Sequence, residues 1–204
     1  TLFPYTTLFR SMQNADPLTQ GKHRDAFEKK FCEYNGNKYA FSLCNATAAL
    51  ELAAQMCLFK EDDELIAPSH TFTSSVYPFI KKGAKVVWAD IDLDTRVVTL
   101  ESIKKCVTSK TKAIIPVDIA GFPCDYDSIM QLVNAPEIRE MFKAESAAQE
   151  KLGRILVMND AAHSLGAYYS KNQRTGCETD IAIFSLHAVK NVRSEEHTSE
   201  LQSR

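Results

Sequence analysis

Two stretches of this sequence place reactive side chains just past short apolar runs. In Ile181-Ala182-Ile183-Phe184-Ser185-Leu186-His187-Ala188-Val189-Lys190-Asn191 the opening residues read as a buried strand, after which come a hydroxyl at Ser185 and an amine at Lys190. A lysine just past a buried strand is a candidate for covalent amine chemistry, because desolvation lowers its pKa and frees the nitrogen lone pair. Taken alone, a lysine is more often a solvated surface charge. The second stretch, Val157-Met158-Asn159-Asp160-Ala161-Ala162-His163, is another apolar strand, ending in a carboxylate with a histidine three residues on. Taken singly, Asp160 reads as a strand-end cap and His163 as a satisfied core histidine.

A third stretch has the form of an anion site. Tyr39 to Cys44 reads as a strand, and Asn45-Ala46-Thr47-Ala48-Ala49-Leu50 opens a helix running to about Leu58. At a helix start, free backbone N–H groups and the positive end of the helix dipole point at whatever lies in front, and Thr47 adds a hydroxyl. A plain N-cap is the other reading of the same residues. Phe72 stands past the strand Leu65-Ile66-Ala67, where an aromatic side chain either fills core or offers a flat face to a ring.

Together these stretches resemble the cofactor site of the DegT/DnrJ/StrS family of pyridoxal-phosphate-dependent sugar aminotransferases. The family pattern is an apolar strand, then Glu/Asn-Asp-Ala-Ala/Cys-Gln/His, and later Phe-Ser-Phe/Leu-His-x-x-Lys-Asn. Both halves occur here in that order, and the resemblance covers nearly all of Met12 to Val192. It implies an aspartate-aminotransferase-like (fold type I) large domain of the α/β class, a mostly parallel sheet with helices on both faces. Lys190 would bond pyridoxal 5′-phosphate covalently and then act as base. Asp160 would face the pyridine nitrogen and His163 would lie near the ring or its phenolic oxygen. Phe72 would stack on the ring, while Ala46, Thr47 and Ser185 would hold the phosphate. Ala46 stands where many relatives carry glycine.

The same resemblance implies glutamate as amino donor, a nucleotide-linked keto-sugar as acceptor, polysaccharide biosynthesis as setting, a homodimer and a cytoplasmic location. Lys190 argues against the branch that dehydrates sugars and carries histidine at that position. The lead-in Leu18-Thr19-Gln20-Gly21-Lys22 and the loop Val117-Asp118-Ile119-Ala120-Gly121 resemble members acting on 4-keto-6-deoxy nucleotide sugars. The alternative is a catalytically silent regulatory protein of the same fold that binds the cofactor or a sugar; retention of Lys190 and Asp160 speaks against it.

Composition sets the frame. The chain has 204 residues, 45% hydrophobic and 25% charged, enough for one domain with a real core. The net charge of -2 carries no basic excess of the kind that draws nucleic acid or an anionic membrane. No uninterrupted apolar segment approaches bilayer-spanning length. The six cysteines form no C-x-x-C pair, and several sit in apolar surroundings, so free thiols in a reducing compartment are expected rather than disulfides or zinc ligands. No metal site is expected, since Asp90-Ile91-Asp92 lacks a calcium-loop pattern.

The two ends read differently from the rest. Residues 1–11 (TLFPYTTLFRS) and 193–204 (RSEEHTSELQSR) resemble translated sequencing adapters and are set aside from fold reasoning. The expected division is therefore a non-native tail over 1–11, a truncated cofactor-binding large domain over 12–192 and a second tail over 193–204, with the C-terminal domain missing.

Elements that must position these groups follow in order. Helices are expected over His23–Tyr34, from Asn45, up to about Lys82, over Leu100–Cys106 and after an Asp125 cap. Strands are expected at Leu65–Ala67, Lys85–Asp90, Thr111–Val117, Ile155–Met158 and Asp180–Phe184, with a hairpin around Tyr168-Tyr169 and Gly176. Asn134 to Gly153 reads as a helical surface insertion. No G-x-G-x-x-G follows any strand, so a nicotinamide-binding reading lacks its main support.

Overall fold

The computed structural model describes residues 21–170, 173–187 and 189–190. Both adapter-like tails, most of the lead-in before Gly21, and Asn191 lie outside the described residues.

The architecture follows from five short apolar runs. These form β1 (Glu64–Pro68), β2 (Lys85–Ala89), β3 (Thr111–Ile114), β4 (Leu156–Asp160) and, after a hairpin, β7 (Ile181–Ile183). They pair in the order β2-β1-β3-β4-β7, and every pairing is parallel. Parallel neighbours need crossovers, which the helices supply: α1 (Lys22–Asn35) and α2 (Ala46–Cys57) precede the sheet, then come α3 (Tyr77–Ile80), α4 (Leu100–Cys106), α5 (Tyr126–Asn134), α6 (Pro136–Met141) and α7 (Ala147–Leu152). The hairpin pairs β5 (Tyr168–Ser170) with β6 (Gln173–Arg174).

Alternation along each strand divides the interior in two. Leu65, Ala67, Ala113, Ile115 and Met158 pack with Leu50, Ala54 and Phe79 from α2 and α3. Ile66, Ile114 and Val157 point the other way and pack with Ile103, Tyr126, Ile129 and Val133 from α4 and α5. β1 and β3 are buried at every position and β4 at all but Leu156, as central parallel strands must be, while the edge strand β2 stays partly exposed. Among the described residues, no helix is long and apolar enough to cross a membrane.

Helix ends match their residues. Gly36 closes α1 in the left-handed conformation at φ 87°, returning its N–H to Cys32. Asn45 caps α2 by accepting the Ala48 N–H, and Asp125 caps α5 by accepting from Ser128.

One expected element is absent. Tyr39 to Cys44 is not a strand, and Tyr39 and Phe41 are exposed. A strand exists only through pairing, and no described strand lies alongside this segment, so its alternating side chains have no face to bury.

The insertion at 134–153 has a definite anchor. Lys112, with its side chain 2% exposed, lies 3.6 Å from Asp63 and 3.5 Å from Glu145, and donates to the Lys143 carbonyl at 2.6 Å. Gln149 reaches the Cys57 carbonyl at the end of α2. The insertion is thus fastened to β3 and α2 at the edge of the sheet where the strands begin.

Candidate functional site

Because all five strands run the same way, their C-terminal ends share one edge, where open α/β sheets place ligands. Four loops meet there: Ser69–Ser75 after β1, Asp118–Pro123 beyond β3, Asp160–Ser164 from the end of β4, and Phe184–Lys190 after β7.

Asp160 is the centre of this edge. It is 5% exposed, and its carboxylate accepts the Ser75 hydroxyl at 2.6 Å and the Ala162 N–H at 3.2 Å. Burial raises its pKa above the ordinary carboxylate value, opposed by those two hydrogen bonds and by the positive charges of His163 and Lys190. Both side chains thus act electrostatically on Asp160. Burial and the Lys190 charge push His163 below the usual histidine value, with Asp160 opposing. Nδ1 of His163 accepts the Ala120 N–H at 3.3 Å. Lys190 is half-buried, and its own N–H closes a turn onto the His187 carbonyl at 2.9 Å.

Thr47 sits in the first turn of α2 and donates to Ser74 Oγ at 3.0 Å. The N–H groups of Ala46 and Thr47 precede the first intrahelical acceptor, so they face outward. Ala46 and Ala49 pack against the apolar cluster that holds Ile181 and Ile183, which sets the start of α2 against the strand leading to Ser185. The Ser185 hydroxyl accepts from the His187 N–H at 3.4 Å, within its own loop. Phe72 is 74% exposed, which removes the core-filling reading and leaves its ring face open.

Behind the front row lies a group whose loop the sequence pointed to but whose role it did not show. Asp118 is fully buried and accepts four hydrogen bonds: from Cys124 N–H, the Tyr126 hydroxyl, the Asn159 amide and the Ser164 hydroxyl. Ser75, Asn159 and Ser164 were likewise not singled out. The one signal available was position, since Asp118 follows an apolar run at the strand edge where ligands gather. Among the described residues, no group of three or more histidine, cysteine or acidic side chains could hold a metal ion.

The chain belongs to the DegT/DnrJ/EryC1/StrS aminotransferase family, whose profile matches residues 6–196. Its fold is shared with solved members. Spr1654 of Streptococcus pneumoniae, classed as a sugar aminotransferase and solved in its PLP form, is 35% identical over 93% of this chain and 47% of its own, with a TM-score of 0.85. An aminotransferase from Psychrobacter cryohalolentis is 30% identical over 94% of this chain and 45% of its own, at TM-score 0.76. PseC of Helicobacter pylori, an aminotransferase of pseudaminic acid biosynthesis, is 25% identical over 95% of this chain and 48% of its own, at TM-score 0.74. The chain therefore spans about half the length of the relatives it matches. The fold is aspartate-aminotransferase-like, and what is described is part of that domain.

Proposed function

We propose that this chain is the cofactor-binding part of a pyridoxal-phosphate-dependent aminotransferase that moves an amino group from glutamate to the keto group of a nucleotide-linked sugar. The observation that carries the reading is the buried Asp160 carboxylate with Lys190 and His163 in its field. The donor set suits the cofactor. A helix start with the Thr47, Ser74 and Ser185 hydroxyls suits a phosphate, a buried carboxylate suits a protonated ring nitrogen, and the open face of Phe72 suits an aromatic ring.

When bound, the cofactor supplies an aldehyde for attachment to an amine and a ring that withdraws electrons from the carbon losing its proton. The rest is the work of this chain. Asp160, supported by Ser75, would hold the proton of a ring nitrogen. Ala46, Thr47 and Ser185 would hold a phosphate. Phe72 would cover one ring face and limit water there. Lys190 would offer Nζ as nucleophile to the aldehyde and as base toward a substrate Cα proton.

Residues 12–192 are the large domain in this reading, and the segments flanking it are foreign to it. The partner is a second copy of the protein, and the exposed apolar residues Met56 on α2, Leu58 just past it, and Tyr77 and Ile80 on α3 supply surface for it. Six free thiols, two of them buried, favour the cytoplasm as the place of action.

The test is the ultraviolet–visible spectrum of the protein at the length of its relatives, with pyridoxal phosphate, before and after glutamate, beside Lys190→Ala. A cofactor band that glutamate shifts in the wild type and that never forms in the variant supports the aminotransferase. A spectrum indifferent to both glutamate and the substitution points to the silent regulatory protein instead.

A further inference from the structure

We propose that Asp118 positions this site: its buried carboxylate ties the loop after β3 to the turn after β4, so that the Ala120 N–H meets Nδ1 of His163 and holds the imidazole as the tautomer protonated on Nε2. The inference deepens the reading above and rests on it for the meaning of the site, but its structural content stands apart.

Both oxygens of Asp118 are used. Oδ1 takes the Cys124 N–H at 3.1 Å and the Tyr126 hydroxyl at 2.6 Å; Oδ2 takes the Asn159 amide at 3.0 Å and the Ser164 hydroxyl at 2.7 Å. Its own N–H donates to the Asp160 carbonyl at 3.1 Å. Asn159 and Ser164 bracket the segment that carries Asp160 and His163, so one carboxylate fixes both ends of that segment. Burial raises the Asp118 pKa and the four donors oppose it. A buried carboxyl surrounded by donors is satisfied only as an acceptor on both oxygens.

On the other side of Asp118, Ala120 adopts φ 53° and ψ 21°. A non-glycine residue there is uncommon and costs about 1–2 kcal/mol, and such a conformation persists where its surroundings over-determine it. It is two residues from the anchored carboxylate, and it aims the Ala120 N–H at His163, 3.3 Å away. A ring nitrogen that accepts a backbone N–H carries no proton, so the neutral imidazole keeps its hydrogen on Nε2. Charging the ring would set N–H against N–H. Asp118 lies behind this arrangement and acts through Ala120, Asn159 and Ser164; it is a positioning residue.

The test uses 15N-histidine labelling of the full-length protein without added cofactor, at about pH 8, where an ordinary histidine is neutral. The His163 resonances are those lost in His163→Gln. The expected wild-type signature is an unprotonated Nδ1 and a protonated Nε2; a protonated Nδ1 overturns the proposal. In Asp118→Asn, an amide offers one acceptor oxygen where two were used, and the signature is expected to shift to a mixture of both tautomers. Should that variant fail to fold, Ser164→Ala takes its place with the same expectation. A variant that only melts earlier, with the wild-type tautomer intact, reduces Asp118 to a packing role and also overturns the proposal. Failure to bind pyridoxal phosphate would sink the proposed function and leave the tautomer result standing.

Discussion

Ser75 donates its hydroxyl hydrogen to Oδ2 of Asp160 at 2.6 Å, joining the loop after β1 to the end of β4 across 85 residues of sequence. A hydroxyl has one proton to give, so in the 2.7 Å contact between Thr71 and Ser75 the donor is Thr71. The carboxylate is thus backed by a short relay of hydroxyls, and its acidity depends on a residue far from it in the chain.

Removing that donor tests the dependence. Ser75→Ala takes away an interaction that lowers the Asp160 pKa, so the carboxyl moves further up. Hydrogen bonds to charged groups are worth about 1.5–3 kcal/mol, or roughly 10- to 100-fold in affinity. Pyridoxal phosphate affinity is expected to fall by that order, with its pH midpoint displaced upward. Absorbance titrations at several pH values check both effects.

Asp160→Asn separates stability from function. The folded-state pKa of Asp160 lies above the unfolded value, so the folded state holds this proton more tightly. Stability therefore falls as pH rises from the ordinary carboxylate value through the raised one, and the penalty is fully present above it. An uncharged asparagine avoids the penalty. The cofactor-free variant should melt higher than wild type at neutral pH, with the difference vanishing toward about pH 4, while cofactor binding is lost. Thermal denaturation across that range decides it.

Asn45 and Thr47 divide the work at the start of α2. Asn45→Ala removes the cap on Ala48 and should cost about 1 kcal/mol of stability. Thr47 is exposed, and its one side-chain hydrogen bond among the described residues is to the Ser74 hydroxyl. Thr47→Ala should leave the melting temperature nearly unchanged and weaken cofactor binding, a contrast that paired denaturation and binding curves expose.

Gly176 has no room for a side chain. Its φ is +99°, and an added Cβ would stand 2.9 Å from Phe184 Cε2 and 3.2 Å from Ala182 Cβ. Gly176→Ala combines the left-handed penalty with overpacking against β7, about 2–4 kcal/mol together. Denaturant unfolding should show that loss, and the cofactor site should weaken with it, since Phe184 leads into Ser185 and Lys190.

Lys112 is the anchor of the insertion. Lys112→Met would leave the Asp63 carboxylate, 6% exposed, without its cation. Breaking such a buried pair costs about 3–5 kcal/mol, whereas replacing both charges with neutral groups costs far less. Hydrogen exchange should quicken over residues 136–152 in the single variant and return toward wild type in Lys112→Met/Asp63→Asn.

Most of the scaffold was legible because each strand is a short apolar run fenced by turn residues, and each helix carries its own cap. Asn45, Asp125 and Gly36 announce their roles locally. Tyr39 to Cys44 was misread because alternation describes what a strand would bury, while forming one takes a neighbour the sequence does not display. Asp160, His163 and Lys190 stand out in the sequence through their motifs. Ser75 and Asp118 do not, since their partners lie 85 and up to 46 residues away and no local spacing links them. A serine in a loop and an aspartate after a strand look ordinary until the sheet sets their neighbours beside them.

The strand order has a temporal meaning. From β2 onward the sheet reads β2-β1-β3-β4-β7, so after the first pair each later strand docks on the same growing edge in the order in which a ribosome releases it. No completed pairing has to reopen to admit a later arrival. The final described addition is β7, with the lysine loop behind it, so the amine reaches the carboxylate only when the preceding strands have closed ranks. The lysine loop thus depends on every pairing that precedes it in the sheet.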